Sequence, residues 1–172
     1  SSLSAPMVLC LKTRKSRTLP GISKMKNLII VTGGAGFVGS NLIKSLLKKT
    51  NKKIISLDNY SSGNIKNHLK NNRVKYLRVD TTDIDKHLKK VKNRIHSVFH
   101  FGEFARIYQS FKKFDECLKS NSIGSNAVFK FCLENNIKLI YSATSASLGN
   151  KGNDKNLSPY AFTKSKNLEL LE

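Results

Sequence analysis

A short apolar stretch that breaks into glycines constrains the fold of this chain more than any other feature. Residues 28–32 read Leu-Ile-Ile-Val-Thr, which is typical of a buried β-strand, and residues 33–39 read Gly-Gly-Ala-Gly-Phe-Val-Gly before a helical pattern begins. In this arrangement Gly33 permits a tight strand-to-helix turn, Gly36 lets the backbone approach a ligand, and Gly39 lets the helix lie close to the sheet. The free N–H groups at the helix start favour a pyrophosphate. The stretch therefore predicts a dinucleotide-binding turn.

Short apolar runs alternate with helical patterns along the rest of the chain. The predicted strands are Leu28–Thr32, Lys53–Asp58, Lys75–Val79, Ser97–Phe101 and Lys138–Ser142, and the predicted helices are Val38–Lys49, Asp83–Val91, Phe114–Glu134 and Tyr160–Glu172. The strands lack strict polar alternation, as expected when helices cover both faces of a sheet. This order predicts an α/β fold with a doubly wound parallel sheet of the Rossmann type. The glycine spacing fits both GxxGxxG and GxGxxG, so it leaves the subtype open.

Two acidic residues follow predicted strands and are candidates for binding the adenosine half of the cofactor. Asp58 ends the second strand, about 20 residues after the glycines, where an acid accepts hydrogen bonds from the ribose hydroxyls and repels a 2′-phosphate. The cofactor predicted from this acid is NAD. Asp80, at the end of the third strand, is a candidate for the adenine amino group. The alternatives are that Asp58 begins a turn with Asn59, and that Asp80 caps the following helix.

A tyrosine and a lysine one helical turn apart are the candidates for proton transfer. Tyr160 and Lys164 lie on the same face of the last predicted helix. Because the pKa of a tyrosine is about 10, it is a poor base unless a positive charge stabilises its phenolate. We expect the Lys164 ammonium to do this and to hold the nicotinamide ribose. Thr144 and Ser145, after the fifth strand, are candidates for hydrogen bonding the reacting oxygen; the alternative for both is a polar turn.

The end of the fourth strand is expected to border the cofactor. His100, Phe101 and Gly102 stand there, followed by Glu103 and Arg106. The last two are interpreted either as substrate contacts or as members of a salt bridge or a solvated pair.

Composition limits the classes of partner. The 172 residues carry a formal net charge of +20, but the lysines are scattered and no nucleic-acid-binding motif accompanies them, which favours a solvated basic surface. No apolar run approaches the roughly 20 residues of a membrane span. The three cysteines, an odd number, have no metal-ligand spacing. We expect a cytoplasmic protein with no membrane, metal or specific nucleic-acid partner.

Both ends of the chain differ from the rest. The first residues are basic and serine-rich without acids, which is typical of a transit peptide or of upstream sequence translated ahead of a start at Met25; we prefer the second interpretation. We therefore expect residues 1–25 to be an unstructured or spurious extension and residues 26–172 to form an NAD-binding domain. The last helical pattern is still running at Glu172, so we expect an incomplete domain in a truncated chain.

Taken together, these motifs resemble the extended short-chain dehydrogenase/reductase family, specifically its nucleotide-sugar epimerases such as UDP-glucose 4-epimerase. The resemblance covers about residues 26–172. It is carried by Thr-Gly-Gly-Ala-Gly-Phe-Val-Gly-Ser at 32–40, Leu57-Asp58-Asn59, Val79-Asp80, His100-Phe101-Gly102 and Ser-Pro-Tyr-Ala-Phe-Thr-Lys at 158–164. The chain departs from the family pattern at Ala105, where epimerases often carry a lysine, and in the short segment 149–158.

The resemblance implies the roles of individual residues. The implied catalytic residues are Thr144, Tyr160 and Lys164. The implied and predicted cofactor-binding residues are Gly33, Gly36, Phe37, Val38, Gly39, Asp58, Asn59, Asp80, Thr81, Phe101, Gly102, Asn121, Tyr160 and Lys164. No metal is expected.

The resemblance also implies an activity: transient abstraction and return of hydride on a nucleotide sugar by an NAD-dependent epimerase, with a C-terminal substrate domain that is missing here. A homodimer is expected by the same analogy. Other members of the family are reductases, decarboxylases and dehydratases; net formation or consumption of NADH separates the redox reactions from an epimerase. A non-catalytic NAD-binding or nucleic-acid-associated fragment is the alternative from another class.

Overall fold

The fold is a six-stranded sheet with helices on both faces. The computed structural model describes residues 8–11, 25–144, 153–154 and 156–172. The strands are β1 (Val8–Leu11), β2 (Leu28–Thr32), β3 (Lys53–Asp58), β4 (Val74–Arg78), β5 (Ile95–His100) and β6 (Lys138–Ser142). Their spatial order is β1-β6-β5-β2-β3-β4. All neighbours pair in parallel except β1, which is antiparallel to β6. The predicted doubly wound parallel sheet is confirmed.

Strand β2 lies at the centre of the sheet and contributes to the core on both sides. All five of its residues are buried. Leu28 and Ile30 pack into the larger apolar cluster, whereas Ile29 and Val31 pack into a second cluster. Successive side chains of a strand point to opposite faces, so the two clusters lie on opposite sides of the sheet. This explains the absence of polar alternation in the sequence.

The helices divide between these two faces. The described helices are α1 (Phe37–Lys49), α2 (Ile84–Leu88), α3 (Ile107–Lys112), α4 (Phe114–Leu118), α5 (Ser125–Glu134) and α6 (Pro159–Leu171), with 3₁₀ turns at Ile65–Asn67, Thr81–Asp83 and Lys92–Arg94. Ile43 of α1 joins the smaller cluster, and Val128 of α5 joins the larger one. The first helix therefore covers one face and the fifth covers the other.

The predicted helix Phe114–Glu134 is wrong as a single regular helix. The structure gives α4, then a π-helical segment at Lys119–Gly124, then α5. Helix α3 was not predicted, and the predicted helix Asp83–Val91 is reduced to α2. A π-helical turn widens the backbone to place particular side chains, and apolar periodicity does not reveal it.

Part of the N-terminal extension is ordered against the sheet. We expected residues 1–25 to be unstructured or spurious, but Val8–Leu11 pair with β6 in the register Val8 to Ser142 and Leu11 to Leu139. For these four residues the expectation is wrong. Val-Leu-Cys-Leu is an apolar run of strand-forming residues, and β6 would otherwise present an unpaired edge. The domain boundaries themselves stay a prediction.

The topology fixes where a ligand binds. Strand β2 pairs with β3 on one side and with β5 on the other, so the strand order reverses between β2 and β5. In sheets of this type ligands bind beyond the carboxyl ends of the strands at this reversal. None of the described helices is both long and apolar enough to cross a membrane.

Candidate functional site

The glycine turn after β2 is packed too closely for side chains. Gly33 has φ +70°, and a Cβ built on it lies 2.7 Å from the carbonyl of Phe101, in the loop after β5. A Cβ on Gly39 lies 2.2 Å from the carbonyl oxygen of Gly33. The first turn of α1 therefore rests directly on the turn that precedes it. Both positions require glycine, as the spacing predicts.

The start of α1 leaves its backbone donors available. The helix begins after Gly36, where no described side chain makes a capping hydrogen bond, and its first turn contains no acid. Phe37 and Val38 are exposed there, Phe37 by 83%. An uncapped helix N-terminus with exposed apolar neighbours provides N–H groups for an anion and a surface for an aromatic or sugar group. This part of the structure fits a dinucleotide.

Asp58 is held at the end of β3 by backbone donors. The N–H of Ala35 donates to its Oδ2 at 2.9 Å, and the N–H of Tyr60 donates to its Oδ1 at 2.8 Å. The second bond is the turn interaction that we considered as the alternative role. The first ties the carboxylate to the glycine turn, and each oxygen keeps a lone pair for a ribose hydroxyl. Asp58 therefore performs the turn role, and its contact with a ribose stays a prediction.

Asp80 caps the 3₁₀ turn Thr81–Asp83. Its Oδ1 accepts from the N–H and the hydroxyl of Thr82, and its Oδ2 accepts from Nδ2 of Asn59 at 3.1 Å. Partial burial works to raise the pKa of Asp80, but these hydrogen bonds and the charge of Lys119 hold it below its usual range. The capping alternative is thus confirmed. The contacts of Asn59 and Asp80 with adenine stay predictions.

The end of β5 is fixed by a buried histidine. His100 is fully buried, with Nδ1 at 2.6 Å from the hydroxyl of Thr32 and Nε2 at 2.9 Å from the hydroxyl of Ser125. The Thr32 oxygen also accepts from the N–H groups of Phe101 and Gly102, so its single proton points to Nδ1. His100 is therefore neutral and donates from Nε2. Burial lowers its pKa to about 4.

Tyr160 and Thr144 meet at the carboxyl edge of the sheet. The side chains of these two residues are hydrogen-bonded, although they lie on α6 and after β6. Strands β6 and β2 are separated only by β5, which corresponds to about 10 Å between their ends. The phenol and the glycine turn therefore lie at the same edge of one sheet. Ser145, the other candidate, lies outside the described residues.

Lys164 has partners that the sequence analysis did not assign to it. Its buried Nζ donates to a carboxylate oxygen of Glu103 and to the carbonyl oxygen of Ser142, and lies 4.3 Å from the centre of the Tyr141 ring. Glu103 thus forms a salt bridge, but its partner is Lys164 rather than Arg106, the residue considered with it in the sequence. Tyr160 has a raised pKa, because burial outweighs its hydrogen bond with Thr144 and the charge of Glu103 also raises it. Stabilisation of the Tyr160 phenolate by Lys164 stays a prediction.

Two of the predicted cofactor residues are buried at the π-helical segment: Asn121 belongs to it, and Thr81 packs against it. The amide of Asn121 bonds to the backbone of Phe104 at both ends, at 2.7 Å from the N–H and at 3.0 Å to the carbonyl. A Cβ on Gly124 would lie 2.3 Å from the hydroxyl of Thr81. Asn121 therefore shapes the loop after β5, and the cofactor contacts predicted for both residues stay predictions.

The structure brings most predicted residues to one edge of the sheet. These are the glycine turn with Phe37 and Val38, Asp58, Asn59, Asp80, Phe101, Gly102, Thr144, Tyr160 and Lys164. Glu103 is bound by three residues that belong to no motif and were not predicted: Ser125, Tyr141 and Asn167. Among the described residues no cluster of three potential ligands could hold a metal ion.

The comparisons with known proteins agree with this geometry. A model of the NAD dependent epimerase/dehydratase family matches residues 29–172. The chain belongs to this family. The ADP-L-glycero-D-manno-heptose-6-epimerase of Brachyspira hyodysenteriae is 32% identical over 149 residues, which are 80% of this chain and 46% of that protein.

Solved structures of sugar-nucleotide epimerases resemble this family member in fold. The UDP-glucose 4-epimerase of Thermotoga maritima, solved with UDP-glucose, superposes with a TM-score of 0.71 at 26% identity over 84% of this chain and 50% of its own. The UDP-N-acetylglucosamine 4-epimerase of Methanobrevibacter ruminantium M1, solved with UDP-N-acetylmuramic acid, gives a TM-score of 0.72 at 31% identity over 86% and 50%. The chain spans about half the length of these relatives.

Proposed function

We propose that the protein is an NAD-dependent epimerase that acts on a nucleotide sugar, of the UDP-glucose/UDP-galactose 4-epimerase type. The proposal depends most on the hydrogen bond between Tyr160 and Thr144, because it lies at the same sheet edge as the glycine turn. This arrangement combines a proton-transfer group with a pyrophosphate-binding turn. A protein that only binds a nucleotide has no need of the first.

NAD fits the residues that the chain offers. The N–H groups at the start of α1 would hold its pyrophosphate, Asp58 its adenosine ribose, and Phe101 and Gly102 would line the nicotinamide side. When bound, NAD supplies reversible hydride transfer, so that a carbon bearing a hydroxyl can be oxidised and reduced again without net redox change.

The chain supplies the proton chemistry. In its ionised form the Tyr160 oxygen would take the proton of the sugar hydroxyl and later return it, as a general base and then a general acid. Thr144 orients the phenol through their hydrogen bond and offers its oxygen to the reacting group. Lys164 uses two of its three N–H groups on Glu103 and Ser142, which leaves one that can reach the nicotinamide ribose.

One of the relatives favours a different nucleotide sugar as the substrate. The heptose epimerase of Brachyspira hyodysenteriae acts on an ADP-sugar by its name, and it shares 32% identity with this chain. The Thermotoga maritima and Methanobrevibacter ruminantium enzymes are UDP-sugar epimerases by name. An ADP-heptose is therefore the alternative substrate.

The test is incubation of the full-length protein, reconstituted with NAD, with a panel of UDP-, ADP- and GDP-sugars. We expect one substrate to be converted to its epimer, detected by NMR of the anomeric region, with no net change in NADH absorbance. The Tyr160→Phe variant should lose the conversion. Stoichiometric NADH formation would identify a dehydrogenase instead, and tight NAD binding with no turnover of any sugar would contradict the proposal.

A further inference from the structure

Glu103 is a buried carboxylate with four donors. Its side chain is 4% exposed, and its Oε2 accepts from Nζ of Lys164. Its Oε1 accepts from the hydroxyls of Ser125 at 2.6 Å and Tyr141 at 2.9 Å, and from Nδ2 of Asn167 at 3.2 Å. Burial works to raise the pKa of Glu103, but the charge of Lys164 and these donors lower it below its usual range. Glu103 is therefore ionised at neutral pH.

The donors to Glu103 come from three different elements and have fixed directions. Neutral His100 donates from Nε2 to Ser125, so the Ser125 hydroxyl must turn its own proton to Glu103. Tyr141 belongs to β6 and Asn167 to α6, and the Asn167 amide also donates to the Tyr141 oxygen at 3.1 Å and to the carbonyl of Asn121. The carboxylate thus has its position set by the sheet and by the helices on one side of it.

The same contacts determine where the Lys164 ammonium lies. One N–H points to Glu103, another to the carbonyl of Ser142, and the charge faces the ring of Tyr141. Both members of the ion pair are 4% exposed, so water screens their attraction weakly. A lysine has a long flexible stem, and in this site its ammonium is placed by Glu103 rather than by its own backbone.

The Glu103 carboxylate also opposes ionisation of the Tyr160 phenol, whereas the Lys164 ammonium would favour it. Among the described residues, the titratable groups around the pair are His100 on β5, Tyr141 on β6, Cys117 on α4 and Tyr160 on α6. Burial raises the pKa of Tyr160 first, and the negative charge of Glu103 raises it further. Because His100 is neutral and burial keeps the Tyr141 phenol protonated, Glu103 and Lys164 are the charged groups of this cluster.

We propose that Glu103 is a positioning residue of this site, which fixes the Lys164 ammonium and offsets its positive charge in the cluster that contains Tyr160. The importance of Glu103 for catalysis rests on the proposed function, but its effect on the ionisation of Tyr160 does not. With both charges present, the pair is close to neutral, and Tyr160 stays a protonated phenol in the absence of cofactor. Removing one charge at a time should therefore move the ionisation of Tyr160 in opposite directions.

The experiment is a double-mutant cycle read by ultraviolet titration of the Tyr160 phenolate. The Tyr160 signal is the difference between each protein and its Tyr160→Phe counterpart. Glu103→Gln should lower the pH at which Tyr160 ionises by about one unit, a tenfold change in the phenolate fraction at a given pH. Lys164→Met should raise it, and the double variant Glu103→Gln/Lys164→Met should return it near the original value. The exposed Glu116→Gln is the matched control and should change nothing.

The outcomes separate this inference from the proposed function. An unchanged Tyr160 titration in folded Glu103→Gln would overturn it. Glu103→Gln leaves a buried lysine unpaired and therefore can fail to fold. In that case the pH at which Tyr160 ionises is compared between Lys164→Met and the double variant. Equal values in these two variants would overturn the inference, because Glu103 would then have no effect on Tyr160. NAD affinity measured by calorimetry should fall in Glu103→Gln by about three- to tenfold as the lysine loses its position. None of these readings requires turnover of a sugar.

Discussion

The two ends of the candidate site differ in the groups that form them: backbone N–H groups at one end and side chains at the other. At the glycine turn the groups predicted to face a ligand are backbone N–H groups, which the described side chains leave uncapped, and the flanking Phe37 is exposed. At the other end, around Tyr160, the predicted reactive groups are side chains. The residues that position these side chains are buried and hydrogen-bonded to one another. The first end depends on chain geometry and the second depends on charges held out of water.

This difference determines how each end fails. A backbone site is lost when a Cβ enters the turn, whereas a substitution of an exposed neighbour changes little. A buried network transmits a change from one member to the others, because each donor or charge lacks water as a substitute. Substitutions in the buried network around Tyr160 and Glu103, the closed end, should therefore change the ionisation of its other members. Substitutions in the glycine turn at residues 33–39, the open end, should change cofactor affinity or folding without changing that ionisation.

The largest effect is expected from Tyr160→Phe at the closed end. Loss of the proton-transfer group should reduce kcat by about 100-fold or more, since general acid–base catalysis contributes roughly that much. NAD affinity, measured by calorimetry, should change little because the turn is untouched. The control is Tyr108→Phe, whose ring is exposed on α3. Retention of most of the activity in Tyr160→Phe would remove this tyrosine from the reaction.

The buried His100 should make folding sensitive to acid. An unfolded histidine binds its proton near pH 6.5, whereas His100 binds it at about 4. Between these two pH values the unfolded state binds more protons than the folded state. The contribution of His100 to the free energy of unfolding is therefore fully present above pH 6.5. It is lost as the pH falls to 4, which lowers the free energy of unfolding by about 3 kcal/mol in total. Urea denaturation at a series of pH values measures this slope.

The His100→Gln variant isolates that contribution. Burial and nearby lysines also lower the pKa of His96, so the wild-type slope contains both histidines. His100→Gln should be less stable at neutral pH but should lose most of the slope, while the exposed His87→Asn should keep it. Equal slopes in wild type and His100→Gln would show that His100 is charged in the folded protein.

Two glycines of the open end should give contrasting results. Gly33→Ala forces a side chain to φ +70° against the carbonyl of Phe101 and should lower the free energy of unfolding by about 2 kcal/mol or more. Gly36→Ala meets only the Gly33 oxygen at 3.2 Å, so it should fold with a smaller loss. Its NAD affinity should nevertheless fall, because its Cβ faces the predicted pyrophosphate. Equal losses of stability in the two variants would contradict this view of the turn.

The smallest effect is expected at Asp58. Asp58→Asn keeps an oxygen for the N–H of Ala35 or Tyr60 but loses the charge, so NAD affinity should fall by about tenfold and the preference for NAD over NADP should narrow. The exposed Asp83→Asn is the control. Calorimetry with NAD and with NADP measures the ratio of the two affinities. An unchanged ratio in Asp58→Asn would show that other residues determine the preference for NAD.

Local pattern was sufficient for the five parallel strands and for the open end of the site, but not for β1. The five parallel strands lie within two residues of their predicted bounds, because apolar β-type runs between glycines and polar turns have few other structures available. The glycine turn was equally accessible, since φ +70° and close approach leave glycine as the fitting residue. The π-helical segment was missed because its polar residues carry no periodic signal.

The closed end was predicted only in part. Thr144, Tyr160 and Lys164 were identified by motif and resemblance, but the partner of the lysine was not, because Glu103 lies 61 residues away in the chain. The burial of Glu103 and the four donors that keep it ionised arise from three elements that come together only in the fold.

The sequence by itself determined the alternation of strands and helices, the glycine turn and the candidate tyrosine, because each depends on residues near one another in the chain. Tertiary structure alone decided the tautomer of His100 and the ion pair of Lys164. It also decided that burial and a neighbouring carboxylate raise the pKa of Tyr160. Ionisation depends on desolvation and on charges brought together from distant segments, and neither quantity exists before the chain has folded.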